Sequence, residues 1–93
     1  MAGVKQTVVA TSQVVERERC ELVDFWLTAA DGAITACDIY DGQNTTGKKI
    51  LSPAAVASGS FHLNPKEPIV CENGLFIQLL TAFASCLVLS RRV

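Results

Sequence analysis

Ile39-Tyr40-Asp41-Gly42, then Gly47-Lys48-Lys49-Ile50, and later Cys71-Glu72-Asn73-Gly74-Leu75-Phe76-Ile77 are the stretches that decide the fold. Each is an alternating apolar run that stops or starts at a glycine beside Asp or Asn. Glycine reaches backbone angles closed to other residues, and Asp or Asn bonds its own backbone, so such junctions mark one β-strand turning into the next. The expected product is a compact β-sandwich rather than a catalytic site.

Upstream of these stretches the same grammar continues. From Cys20 onward, Val23, Phe25 and Leu27 alternate with Leu22, Asp24 and Trp26. A strand with Asp24 in its middle is expected to turn that face outward, which places Leu22 and Trp26 outside and Val23 inside. Ala30-Asp31-Gly32 is a turn signal. In residues 34–40, Cys37 and Ile39 are expected inside, with Asp38 and Tyr40 outside. Residues 4–15 mix β-branched residues with Gln, Thr and Ser, a composition suited to an edge strand or an extended arm. The charge run Glu16-Arg17-Glu18-Arg19 is expected in a solvated turn.

Downstream, Pro53 confines its segment to a sheet edge or breaks it there. Ala54 to Ala57 is too short for a helix between Pro53 and Ser58-Gly59-Ser60, so it is read as extended. Phe61 and Leu63 alternate with His62 and Asn64, Pro65 and Pro68 enclose a rigid link, and a last strand spans residues 85–90. Seven to eight short strands, with turn signals every 8 to 12 residues or so, predict an all-β antiparallel sandwich, jelly-roll in type. The 93 residues form one domain, with 1–15 as its edge strand or arm.

Bulk composition narrows the function. A chain of this length buries about two-thirds of the surface its unfolded form exposes, yet 49% of its residues are apolar. Trp26, Phe76, Leu80, Leu87 and Leu89 cannot share one interior with Val23, Phe25, Leu27, Cys37, Ile39, Ile77, Cys86 and Val88. One face is therefore expected to meet another subunit, through Trp26, Tyr40, Phe76, Leu80, Leu87 and Leu89. Lys plus Arg total 8 and Asp plus Glu 9, a formal charge of −1 that offers no footprint for nucleic acid. Residues 75–89 are broken by Gln78, Thr81 and Ser85, so no membrane span is expected.

The four cysteines stand singly at Cys20, Cys37, Cys71 and Cys86, with His62 as the one histidine. That spacing does not suit a structural zinc site, and no metal or cofactor is expected. With no long apolar stretch among the first seven residues, the cysteines are expected to be reduced and buried as small hydrophobes. His62 lies near no glycine-flanked serine, so no catalytic residues are assigned and it is read as a surface or interface histidine. Asp31, Asp38 and Asp41 lack the spacing of a calcium loop and are read as turn residues.

The motifs quoted first, with Phe61-His62-Leu63 and Pro68-Ile69, resemble small structural proteins of tailed-bacteriophage virions that fold as β-sandwiches or jelly rolls. The resemblance covers residues 20–89 and rests on turns and strands. It implies a capsid decoration or cement protein on the virion surface, made in the bacterial host cytoplasm. Its implied partners are its own copies, as a dimer or trimer, and the major capsid protein. The alternative it implies is a receptor- or glycan-binding module of a head fibre or tail, reading its ligand with Tyr40, Trp26 and the loop from Asp41 to Gly47.

Overall fold

Asp41-Gly42 and Gly47-Lys48 close a hairpin, and the other described strands are wound around it. The computed structural model describes residues 3–28, 35–55, 59–80 and 85–92. Its strands are β1 (Lys5–Val9), β2 (Gln13–Glu16), β3 (Cys20–Thr28), β4 (Thr35–Asp41), β5 (Lys48–Leu51), β6 (Ala54–Ala55), β7 (Ser60–His62), β8 (Ile69–Cys71), β9 (Leu75–Leu79) and β10 (Ser85–Arg92). No helix occurs among the described residues.

Each strand before the hairpin turn pairs antiparallel with the segment at a matching distance beyond it: β1 with β10, β2 with β9, β3 with β8 and β7, and β4 with β5 and β6. Two further antiparallel pairings, β10 with β3 and β9 with β4, join alternate pairs into two sheets. Sheet A runs β1, β10, β3 and then β7 and β8 on one edge; sheet B runs β2, β9, β4 and then β5 and β6 on one edge. This double winding of one long hairpin is a jelly-roll sandwich. Both broken edges trace to proline. Pro65 and Pro68 lie between β7 and β8, and Pro53 separates β5 from β6 while its carbonyl accepts the Cys37 amide at 3.1 Å.

Between the sheets, Phe25, Leu27, Ile39, Ile77 and Val88 are sealed from water in a single apolar cluster. Burying each such side chain contributes about 1.5–3 kcal/mol. All four cysteines join this core as free thiols. Burial, with Cys86 nearby, pushes the Cys37 thiol up to about 12, and burial does the same to Cys86. Cys20 and Cys71 are direct cross-strand partners. A hydrogen bond between their sulfurs raises Cys71 and lowers Cys20.

The structure corrects the facing expected in β3, the exposure expected at Asp38, Tyr40 and Glu16, and the number of strands expected in residues 4–15. Phe25 and Leu27 point inward and Trp26 outward, but Leu22 is fully buried and Val23 is not. Opposite consecutive Leu89 and Ser90 stand Asp24 and Leu22, so Val23 is the extra residue of a β-bulge, and the bulge reverses the inside-outside parity of β3. Asp38 and Tyr40 lie on the outer side of β4 yet are only 7% exposed, because neighbouring side chains cover them. Glu16 is not in a solvated turn: it is 4% exposed, with its carboxylate 3.3 Å from Lys5 Nζ, 3.4 Å from Arg92 Nε and 3.2 Å from Ser90 Oγ. Finally, residues 4–15 lie at sheet edges but supply two strands rather than one: β1 at the edge of sheet A and the start of β2 at the edge of sheet B. The turn read at Ala30-Asp31-Gly32 lies outside the described residues.

The deciding motifs meet at one end of the sandwich. Asp41 accepts the amides of Asn73 at 2.8 Å and Glu72 at 3.1 Å, and the Gly42 amide donates to the Gly74 carbonyl at 3.2 Å. The Asn44 side chain caps the hairpin loop by accepting the Thr46 amide at 2.9 Å and the Thr46 hydroxyl.

Candidate functional site

Directly opposed residues of an antiparallel pair share a face of the sheet. On the outer side of sheet A, Val8 of β1 stands opposite Leu87 of β10, Leu87 opposite Trp26 of β3, and Trp26 opposite His62 of β7. A second row holds Gln6, Leu89 and Asp24. Trp26, Leu87 and Leu89 are half-buried, and Val8 is 67% exposed. Three of the six residues expected at an interface are thus brought together on this face.

Trp26 and His62 stack nearly parallel, with ring centroids 4.4 Å apart and planes 10° from each other. His62 Nε2 lies 2.8 Å from Asp24 Oδ2, and Asp24 Oδ1 accepts the amides of Phe25 at 2.8 Å and Asn64 at 3.0 Å. Asn64 takes a left-handed φ of 45°, which its short polar side chain tolerates and which turns its amide toward Asp24. Burial opposes the charged carboxylate, but the His62 bond and the two amides outweigh it and hold Asp24 below its ordinary value of 3.8. With these partners engaged, the Asp24–His62 pair fixes the ring platform and borders it with a polar rim. Beyond Leu89, Arg91 Nη2 meets Glu21 Oε1 at 2.6 Å, so charges on this face are neutralised in place.

The other three expected residues lie on the opposite side of the molecule. Phe76 and Tyr40 are cross-strand partners on the outer face of sheet B, and Leu80 follows at the end of β9 with 54% exposure. Tyr40 is covered by Phe76, with centroids 6.2 Å apart, and by Lys49, whose Nζ is 5.8 Å from the ring. Its hydroxyl lies 3.3 Å from Gln78 Oε1 and 3.5 Å from Asp38 Oδ2, while Asp38 Oδ1 accepts the Ser52 hydroxyl at 2.8 Å. Little of Tyr40 is left for a partner. The grouping of Tyr40, Trp26 and the loop from Asp41 to Gly47 as one ligand site does not form: Tyr40 and Trp26 lie on opposite sheets, and the loop caps one end.

Asp38 and Asp41 are likewise separated, one paired with Lys49 and Ser52 and the other bound to the turn amides at 72 and 73. Asp31 lies outside the described residues, among which no three ligand-type side chains gather for a metal. Among the described residues no helix is long and apolar enough to cross a membrane.

Val8 and His62 complete the outer row of sheet A but were not placed there from the sequence. Val8 lies in a segment whose composition suits an edge strand or an extended arm without naming the strand beside it, and the stacking of His62 on Trp26 depends on a pairing between residues far apart in the chain. No protein-family model matches this sequence, and no curated protein matches it.

Proposed function

We propose that this protein is a non-enzymatic structural protein of a tailed-phage virion, a capsid decoration or cement protein that assembles with its own copies and bridges neighbouring major capsid subunits. The observation that carries the reading is the outer row of sheet A: Val8, Leu87 and Trp26 remain outside a core that closes without them. Apolar side chains adjoining on a rigid sheet suit a partner of matching shape. Trp26 is already half covered. Removing the part still exposed from water contributes about 1–2 kcal/mol before ordering costs are subtracted. The resemblance of the turn-and-strand motifs to small virion proteins supplies the particle, and the jelly roll fits that resemblance.

One observation favours the second reading, a receptor- or glycan-binding module of a head fibre or tail. The stacked Trp26 and His62 rings, bordered by Asp24, have the form of a platform for the flat apolar face of a sugar with a hydrogen-bonding rim. Protein composition of purified particles separates the readings. Hundreds of copies on the shell, lost when Trp26→Ala replaces the native chain, support decoration. A few copies at the tail, or binding of the purified protein to host cells, support the module. Absence from the particle overturns both.

A further inference from the structure

Among the described residues each sheet presents two edges, and three of the four are blunted. β2 carries a bulge at Val15; β5 and β6 are separated by Ser52-Pro53, with Lys48 and Lys49 exposed; β7 and β8 are three residues each, interrupted by a link containing Pro65 and Pro68. Bulges, prolines, charges and short strands are the devices that keep a sheet edge from pairing with another chain. β1 has no bulge and no proline. Its five residues pair one for one with β10, from Lys5 opposite Ser90 to Val9 opposite Cys86. Its single charge does not guard the edge, because Lys5 is folded back, donating from Nζ to the Val15 carbonyl at 2.9 Å and meeting Glu16 at 3.3 Å.

Two side chains beside this edge, one on each side of Gln6, are apolar and exposed. Val4 and Val8 are 51% and 67% exposed and belong to the small set of large hydrophobic residues that remain open to water. They flank Gln6 symmetrically. An antiparallel copy of the same strand, related by a two-fold axis at Gln6, sets Val4 of each chain opposite Val8 of the other. Lys5 then faces Thr7 rather than a second Lys5. Such valine pairs are favourable cross-strand neighbours, whereas like charges placed opposite each other are not.

We infer that β1 is a self-association strand that pairs with β1 of a second copy about a two-fold axis near Gln6, merging the two A sheets into one continuous sheet. The occupant is a second copy because one five-residue segment satisfies both sides of the contact, as an isologous interface requires. The pairing also joins the outer rows: Trp26, Leu87 and Val8 of one copy continue into Val4 of the next. The inference rests on the self-assembly part of the proposed function and specifies its geometry.

The test uses the purified full chain. Sedimentation should give a dimer that Val8→Lys converts to monomer, halving the mass, with an unchanged circular dichroism spectrum. Independently, Gln6→Cys should cross-link two chains under mild oxidation by a small-molecule disulfide, since the native cysteines are buried, whereas Val70→Cys on the opposite edge should not. A wild-type chain that stays monomeric at millimolar concentration overturns the inference. So does a Val8→Lys chain that still dimerises, or cross-linking through residue 70 and not residue 6. The last two results leave shell binding intact, since particle composition judges that; absence from the particle, in turn, leaves this edge test unaffected.

Discussion

Asp24 meets three partners with one carboxylate, and its placement decides how the platform responds to acid. Because its folded value lies below the ordinary 3.8, it binds its proton less readily in the native state. Its contribution to stability is therefore complete above the unfolded value and is lost as pH falls through the lower, folded one. Asp24→Ala is expected to cost about 2 kcal/mol at neutral pH. Asp24→Asn, whose amide oxygen can keep the two backbone bonds, should cost less and should flatten the loss of stability below pH 3.8. Urea titrations across pH check this, and an Asp24→Asn curve parallel to wild type in acid would refute it. The outward face of Asp24 and Trp26 was legible because a charge midway along a strand cannot enter an apolar core. Leu22 was not, since nothing in Leu22-Val23-Asp24 announces an added residue that reverses parity. The outer side of Tyr40 was legible but its burial was not: alternation tells which face a side chain is on, not what lies over it.

At the scale of elements, Asn73-Gly74 shows how a turn dipeptide can be read correctly while its tertiary duty stays hidden. Gly74 has φ +123°, and a β-carbon there would lie 2.7 Å from the Glu16 carbonyl, so both conformation and space require glycine. Gly74→Ala should destabilise the fold by about 1–3 kcal/mol, measured as a lower denaturation midpoint. An unchanged midpoint would show that the turn relaxes freely. Proline wrote its breaks plainly: Pro53, Pro65 and Pro68 all fall where an edge strand is interrupted. The division of residues 4–15 was illegible, because Ala10-Thr11-Ser12 turns the chain from sheet A to sheet B without glycine, proline or asparagine. What holds that corner includes a long-range bond, from the Leu79 amide to Ser12 Oγ at 2.9 Å.

For the whole molecule, two packed sheets follow from strand count and turn spacing, whereas the winding order does not, because no local pattern says which distant strand a given strand will meet. Among the described strands only β4 with β5 and β6 pairs across a short interval; β1 with β10 and β2 with β9 join segments more than 55 residues apart. Closing such long loops before any contact rewards them places folding in the range of about milliseconds to seconds. Stopped-flow Trp26 fluorescence should record it there, and complete refolding within microseconds would contradict the nested order.

The position of β10 between β1 and β3 carries a consequence for synthesis. On a ribosome, β1 emerges before the other described strands and, among the described residues, has no neighbouring strand until the latest of them arrives to sit beside it. Throughout translation the nascent chain can assemble β3 with β7 and β8, while the early valines wait bare. A message cut short after codon 84 yields a sheet in two unconnected parts, a natural substrate for chaperones and proteases.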